Sequence, residues 1–135
     1  MPTNVINVVL NTNVSPARLD VQDNGGQNIV NASAQSTTIT WKLSGNLNQG
    51  NFMPVDDPSG CGGFDWDGPQ PPAGLFGAPS VGANGNSLSI TDNHQGAGSN
   101  GEWMYLLRVN LGGTVYTTGS ILLTGTINNP IIINR

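Results

Sequence analysis

Thr38-Ile39-Thr40-Trp41-Lys42-Leu43 decides how the rest of the chain is read. Ile39, Trp41 and Leu43 recur at every second position, and Thr38, Thr40 and Lys42 fill the gaps. A period of two puts like residues on one face of a pleated strand, so this segment predicts a half-buried β-strand. The same period returns at Trp103, Tyr105, Leu107, Val109 and Leu111. Its alternate face, Glu102, Met104, Leu106, Arg108 and Asn110, is partly apolar, which predicts a central strand. Further strands are expected at Val5 to Leu10, Arg18 to Gln22, Ser87 to Thr91, Val115 to Thr118 and Ile131 to Ile133. Ile29-Val30 and Ile121 to Leu123 are shorter candidates.

Nothing in the chain favours helix. It holds one Glu and one Lys, and Gly, Asn, Thr or Pro interrupts nearly every window. Such residues either spend too much backbone entropy in a helix or divert their hydrogen bonds to turns. Turn chemistry falls between the predicted strands. Gly112-Gly113 separates Leu111 from Thr114, where a two-residue hairpin needs positive φ. Asn24-Gly25, Asn84-Gly85 and Asn100-Gly101 each precede a predicted strand, and Asn129-Pro130 breaks the chain before the last. Short strands with turns between them predict an all-β, antiparallel two-sheet sandwich spanning 1–135 as a single domain.

Composition narrows the function. The 135 residues carry 4 Lys+Arg against 8 Asp+Glu, a net charge of −4. Arg18, Lys42, Arg108 and Arg135 are scattered. Phosphate-backbone binding needs clustered cations, so no nucleic-acid partner is expected. The longest apolar run, Trp103 to Leu107, is far too short for a membrane helix, and Met1-Pro2-Thr3-Asn4-Val5-Ile6-Asn7 lacks a basic leader region. No membrane partner and a default cytoplasmic location are therefore expected. Cys61 is the one cysteine, which excludes an intrachain disulfide.

From Gly45 to Asn86 the rhythm breaks, with Pro54, Pro58, Pro69, Pro71, Pro72 and Pro79 among many glycines. Long loops in compact domains tend to carry function or cover a core edge. Phe52, Met53, Phe64, Trp66, Leu75 and Phe76 punctuate this one and must pack somewhere. One or two short strands are expected, centred on Gly63 to Trp66, with the remainder folded over an open end of the sandwich.

Leu88-Ser89-Ile90, then Asp92, then Gly101-Glu102-Trp103-Met104-Tyr105 resembles the immunoglobulin-like sandwich superfamily in general pattern, with Trp41 placed like its core tryptophan. The likeness covers about residues 36–118 and departs from antibody-type domains in lacking paired cysteines. It implies an immunoglobulin-like sandwich with a long Gly/Pro-rich loop. That fold hosts adhesion, chaperone, carbohydrate-binding and structural roles alike.

His94, the single histidine, lies in Asp92-Asn93-His94-Gln95-Gly96 and is expected to be a solvent-exposed loop residue. Cys61 and Ser99 have nucleophilic atoms, but no nucleophile elbow surrounds either, and no catalytic residue is assigned. Asp56-Asp57 and Asp65-Trp66-Asp67 gather acids in the glycine-rich stretch. In a strand, Asp65 and Asp67 share one side and Trp66 takes the other. That makes Asp65 and Asp67 a candidate Ca²⁺ pair, although an EF-hand spacing is absent. With Phe64, Trp66, Asp56 and Asp57 they form the candidate ligand-binding set, and exposed aromatics there would suit a glycan. No cofactor is expected. The leading expectation is a non-enzymatic structural or protein-interaction module. The alternative is a glycan- or Ca²⁺-dependent ligand-binding module using residues 45–86. The apolar Ile131-Ile132-Ile133 is expected to be covered within the fold, with self-association as the alternative.

Overall fold

The computed structural model describes residues 3–13, 15, 17–22, 27–55, 62–118 and 130–135. Among them lie eleven strands: β1 (Thr3–Asn11), β2 (Arg18–Gln22), β3 (Gln27–Val30), β4 (Thr37–Leu43), β5 (Asn51–Phe52), β6 (Phe64–Trp66), β7 (Ser80–Val81), β8 (Ser87–Asp92), β9 (Gly101–Leu111), β10 (Thr114–Thr117) and β11 (Ile131–Asn134). The first sheet runs β2-β1-β4-β8-β7. The second runs β10-β9-β11-β3, with β5 and β6 also paired to β9.

Alternation dictates which side chains meet between the sheets. Thr37, Ile39, Trp41 and Leu43 of β4 are buried while Lys42 is exposed. Leu88, Ile90 and Asp92 of β8 and Trp103, Tyr105, Leu107 and Val109 of β9 follow the same phase. Ile6, Val8, Leu19, Ile39, Trp41, Leu88 and Ile90 from the first sheet thus join Val30, Phe64, Tyr105, Leu107, Val109 and Ile132 from the second in one core. Each such side chain contributes roughly 1.5–3 kcal/mol on burial. Trp41 and Tyr105 tie the layers directly: the indole Nε1–H donates to the phenol oxygen at 2.8 Å, and the rings lie 5.0 Å apart.

β9 is central, as its two partly apolar faces predict. One edge pairs with β11 at Gly101–Met104 and with β10 at Arg108–Leu111. The other pairs with β6 at Tyr105–Leu107 and with β5 at Val109–Asn110. Gly112 and Gly113, at φ +60° and +88°, make the hairpin into β10, a conformation that costs a residue with a Cβ about 1–2 kcal/mol.

The antiparallel expectation needs correction, because both sheets are mixed. β1 runs parallel to β4, from Thr3↔Thr38 to Val8↔Leu43. β11 runs parallel to β3, from Ile131↔Gln27 to Asn134↔Val30. Parallel neighbours cannot be joined by a tight hairpin, so these pairs arise from crossovers between distant segments. The apolar tail strand is covered: β11 lies between β9 and β3, and Ile132 and Ile133 are buried. Ile121 to Leu123 lies outside the described residues.

The Gly45–Asn86 stretch is a strap rather than a free loop. Gly45–Leu47 forms a 3₁₀ turn that buries Leu47. The chain then lends β5 and β6 to the second sheet before crossing to the first, where Phe76 bridges Asp92 and β7 pairs β8. At Gly63 an added Cβ would clash with the Met53 carbonyl oxygen, so only glycine lets the two segments approach.

Candidate functional site

Three regions concentrate the chemistry-bearing side chains. The first is the acidic strand β6. Phe64, expected to face a ligand, is in the core at 5% exposure, stacked on Tyr105 at 5.4 Å. Phe64 and Trp66 share the inward side, and Asp65 takes the other. Asp65 is ion-paired to Arg108 Nη1, which also donates to the Gly62 carbonyl at 2.9 Å. Asp67 is half-buried, and its amide N–H donates to the Met104 carbonyl at 2.9 Å. Asp56, Asp57 and Cys61 lie outside the described residues. Among the described residues, no three His, Cys, Asp or Glu side chains come together as a metal-binding group.

Trp66 does not enter the core fully. It is half-buried, edge-on to Phe64 at 4.9 Å and tilted against Phe76 at 4.8 Å. Phe76 in turn meets Trp103 edge-on at 5.7 Å. A continuous file of rings therefore runs from Trp41 through Phe64, Trp66 and Phe76 to Trp103, closing the side of the sandwich crossed by the strap.

The second region is polar and sits at the end of β8. His94 is buried, at 1% exposure, which corrects its expected place in solvent. Its Nε2 lies 2.6 Å from the main-chain oxygen of Arg135. That oxygen only accepts, so Nε2 carries a hydrogen. Nδ1 lies 2.7 Å from Ser99 Oγ, which is itself 2.8 Å from the Gly96 carbonyl oxygen. Gly96, Ser99 and Arg135 thus wrap the ring and occupy both its nitrogens. Asp92, two residues earlier, is fully buried and accepts from Asn134 Nδ2 at 3.1 Å. Burial raises the Asp92 carboxyl above its ordinary pKa of 3.8, against the lowering effects of the Asn134 hydrogen bond and of His94.

Nothing in the sequence pairs Asp92 with Asn134. A signal existed for the first: Asp92 continues the inward phase of Leu88 and Ile90. None existed for Asn134, which meets Asp92 across 42 positions.

The third region is the outer face of the first sheet. Register places Thr3, Thr38 and Thr91 in one row, Val5, Thr40, Ser89 and Ser80 in the next, and Asn7, Lys42 and Ser87 in a third. Thr40 Oγ1 and Ser89 Oγ lie 2.9 Å apart. Val5, in mid-strand, is 62% exposed. These rows present hydroxyls and methyls around one cation, Lys42, and at the β2 edge of the same face Arg18 and Asp20 form an ion pair at 3.2 Å.

No helix among the described residues is long and apolar enough to cross a membrane. Compared with protein-family models and with the curated proteins, the chain matches none.

Proposed function

We propose that the chain is a non-enzymatic structural module that self-associates through the outer face of its first sheet. The observation that carries this reading is the hydroxyl field around Val5. A hydroxyl both donates and accepts, so rows of Thr and Ser are self-complementary in a way that rows of charges are not. Self-complementarity is what a two-fold symmetric contact requires, since the same patch is presented by both copies. The methyls lose little when covered, and each covered hydroxyl regains its hydrogen bond from the same row on the other copy. The histidine and the buried aspartate, the groups best suited to proton transfer, are committed to holding strands and turns together. In fold terms the reading is of an immunoglobulin-like sandwich. The order Leu88–Ile90, Asp92, Trp103–Tyr105 supports it, with the parallel pairs β1–β4 and β3–β11 as its departures from that pattern.

Sedimentation velocity over a wide concentration range tests this. The expected result is a concentration-dependent dimer that Val5→Asp or Thr40→Lys abolishes while the circular dichroism spectrum stays unchanged. A protein that stays monomeric throughout, or a dimer indifferent to both substitutions, removes the reading.

The second reading is a ligand-binding module, glycan- or Ca²⁺-dependent, on the strap. The half-buried Trp66–Phe76 pair, with Asp67 beside it, favours this. Calorimetric titration with Ca²⁺ and with a glycan panel, repeated on Trp66→Ala, tests it; heat that Trp66→Ala removes would establish it, and silence would end it.

A further inference from the structure

β8 and β11 meet through a carboxyl–amide contact sealed from water. Asp92 Oδ1 accepts from Asn134 Nδ2, and the second hydrogen on that nitrogen reaches the Ser99 carbonyl oxygen at 3.2 Å. Both hydrogens are used, so the amide orientation is fixed. Turned over, it would aim its own oxygen at two acceptors. Two atoms of the contact are left over. Asp92 Oδ2 and Asn134 Oδ1 are buried and have no hydrogen-bond partner among the described residues.

An ionised carboxylate can relieve neither atom, because both are then pure acceptors. A carboxylic acid relieves both. A proton on Oδ2 turns that atom into a donor, and the Asn134 carbonyl is the acceptor on the adjoining group. The acid and the amide then exchange two antiparallel hydrogen bonds, the arrangement in which every atom of the pair is satisfied.

We propose that Asp92 carries a proton in the folded protein, that this proton closes an acid–amide clasp between β8 and β11 through Asn134, and that alkalinisation opens the clasp. The surroundings support a neutral group. Asp92 pairs with Thr37 of β4 on one side and bridges to Phe76 of the strap on the other, neither of which is charged. The titratable neighbour on its own segment is His94, whose ring nitrogens are taken by Ser99 and Arg135; its charge and its main-chain N–H favour the ionised carboxylate, and burial outweighs them. From β11, Arg135 follows Asn134 but is exposed. From β9, Glu102 is exposed and paired through its backbone with Ile133. Burial is the largest influence on the carboxyl and favours the protonated form.

The sign of the linkage follows. The folded protein holds this proton more tightly than the unfolded chain does. The stabilisation is complete below the ordinary carboxylate range, about pH 3.9, and is lost as pH rises through the folded-state value. Each unit by which the folded-state pKa exceeds the unfolded one lowers the folding constant about tenfold across that window. The element released is β11, whose Ile132 and Ile133 fill the centre of the second sheet.

The test is a ¹³Cγ nuclear magnetic resonance titration of the aspartates in the unaltered protein. The Asp92 carbon is expected to titrate above the ordinary carboxylate range. Amide exchange at Ile132 and Ile133, corrected for its intrinsic pH dependence, should accelerate in the same window. Asp92→Asn, which supplies the donor permanently, should abolish that acceleration and make the melting temperature insensitive to pH across the same window. An Asp92 carbon that titrates within the ordinary carboxylate range overturns the proposal, and so does an Asp92→Asn protein in which exchange at Ile132 and Ile133 keeps the wild-type pH dependence. If the variant does not fold, the titration of the unaltered protein decides alone.

Discussion

Removing the phenol oxygen that joins the sheets gives the sharpest stability test. Tyr105→Phe keeps the ring, its stack on Phe64 at 5.4 Å and its tilted contact with Trp41 at 5.0 Å. It deletes the acceptor 2.8 Å from the Trp41 indole nitrogen. Trp41 is 0% exposed, so water cannot take the place of that acceptor. A buried donor left unsatisfied costs about 1–3 kcal/mol. For 135 residues the unfolding entropy scales to roughly 280 cal/mol/K, so the melting temperature should fall by about 4–11 °C. Urea unfolding followed by tryptophan fluorescence gives the free energy, and the m-value should not change, because the surface exposed on unfolding is nearly the same. Trp41→Phe in the Tyr105→Phe background closes a double-mutant cycle. The two should be non-additive by 0.5 kcal/mol or more, by the usual range of contacting pairs. A loss under about 0.5 kcal/mol for Tyr105→Phe, or strict additivity, would refute the idea that this bond couples the layers.

Further substitutions probe the other contacts. Trp41→Ala should cost about 3–5 kcal/mol, read by the same urea titration, because it empties the centre of the core. His94→Ala should cost roughly 2–4 kcal/mol and speed hydrogen exchange at the Ala32 amide, which donates to the Arg135 oxygen at 3.2 Å. Gly63→Ala should lower stability by about 1–3 kcal/mol in a thermal melt, since its Cβ would meet the Met53 backbone. Asp65→Asn should move the melting temperature little, under about 1 kcal/mol, because the carboxylate paired with Arg108 is 44% exposed.

Most of the strand pattern was legible because each strand carries its own two-residue period. Arg18–Gln22 and Phe64–Trp66 fall where the alternation and the turns put them. The hairpin at Gly112-Gly113 was equally local. The parallel pairings were not legible, because no local feature of Thr3–Asn11 says that it will lie beside Thr37–Leu43. That choice is made by long-range packing of Ile6 and Val8 against the core. His94 misled for a related reason. Asn, Gln and Gly around it read as a wet loop, yet the ring is buried and held by Ser99 and by the main-chain oxygen of Arg135, about forty positions away. Phe64 leaves the candidate ligand face because the phase it shares with Trp66 points both towards the interior.

The pairing of Ile131 with Gln27 closes a span of more than a hundred positions. Chain entropy opposes so remote an encounter, and proteins dominated by non-local contacts fold in milliseconds to seconds rather than microseconds. The hairpin at Gly112-Gly113 can zip early, but β9 keeps a bare ladder of amides and carbonyls at Gly101–Met104 until β11 arrives. Refolding should therefore pass through a period in which this ladder is open to strands of other molecules, so that yield from denaturant falls as protein concentration rises.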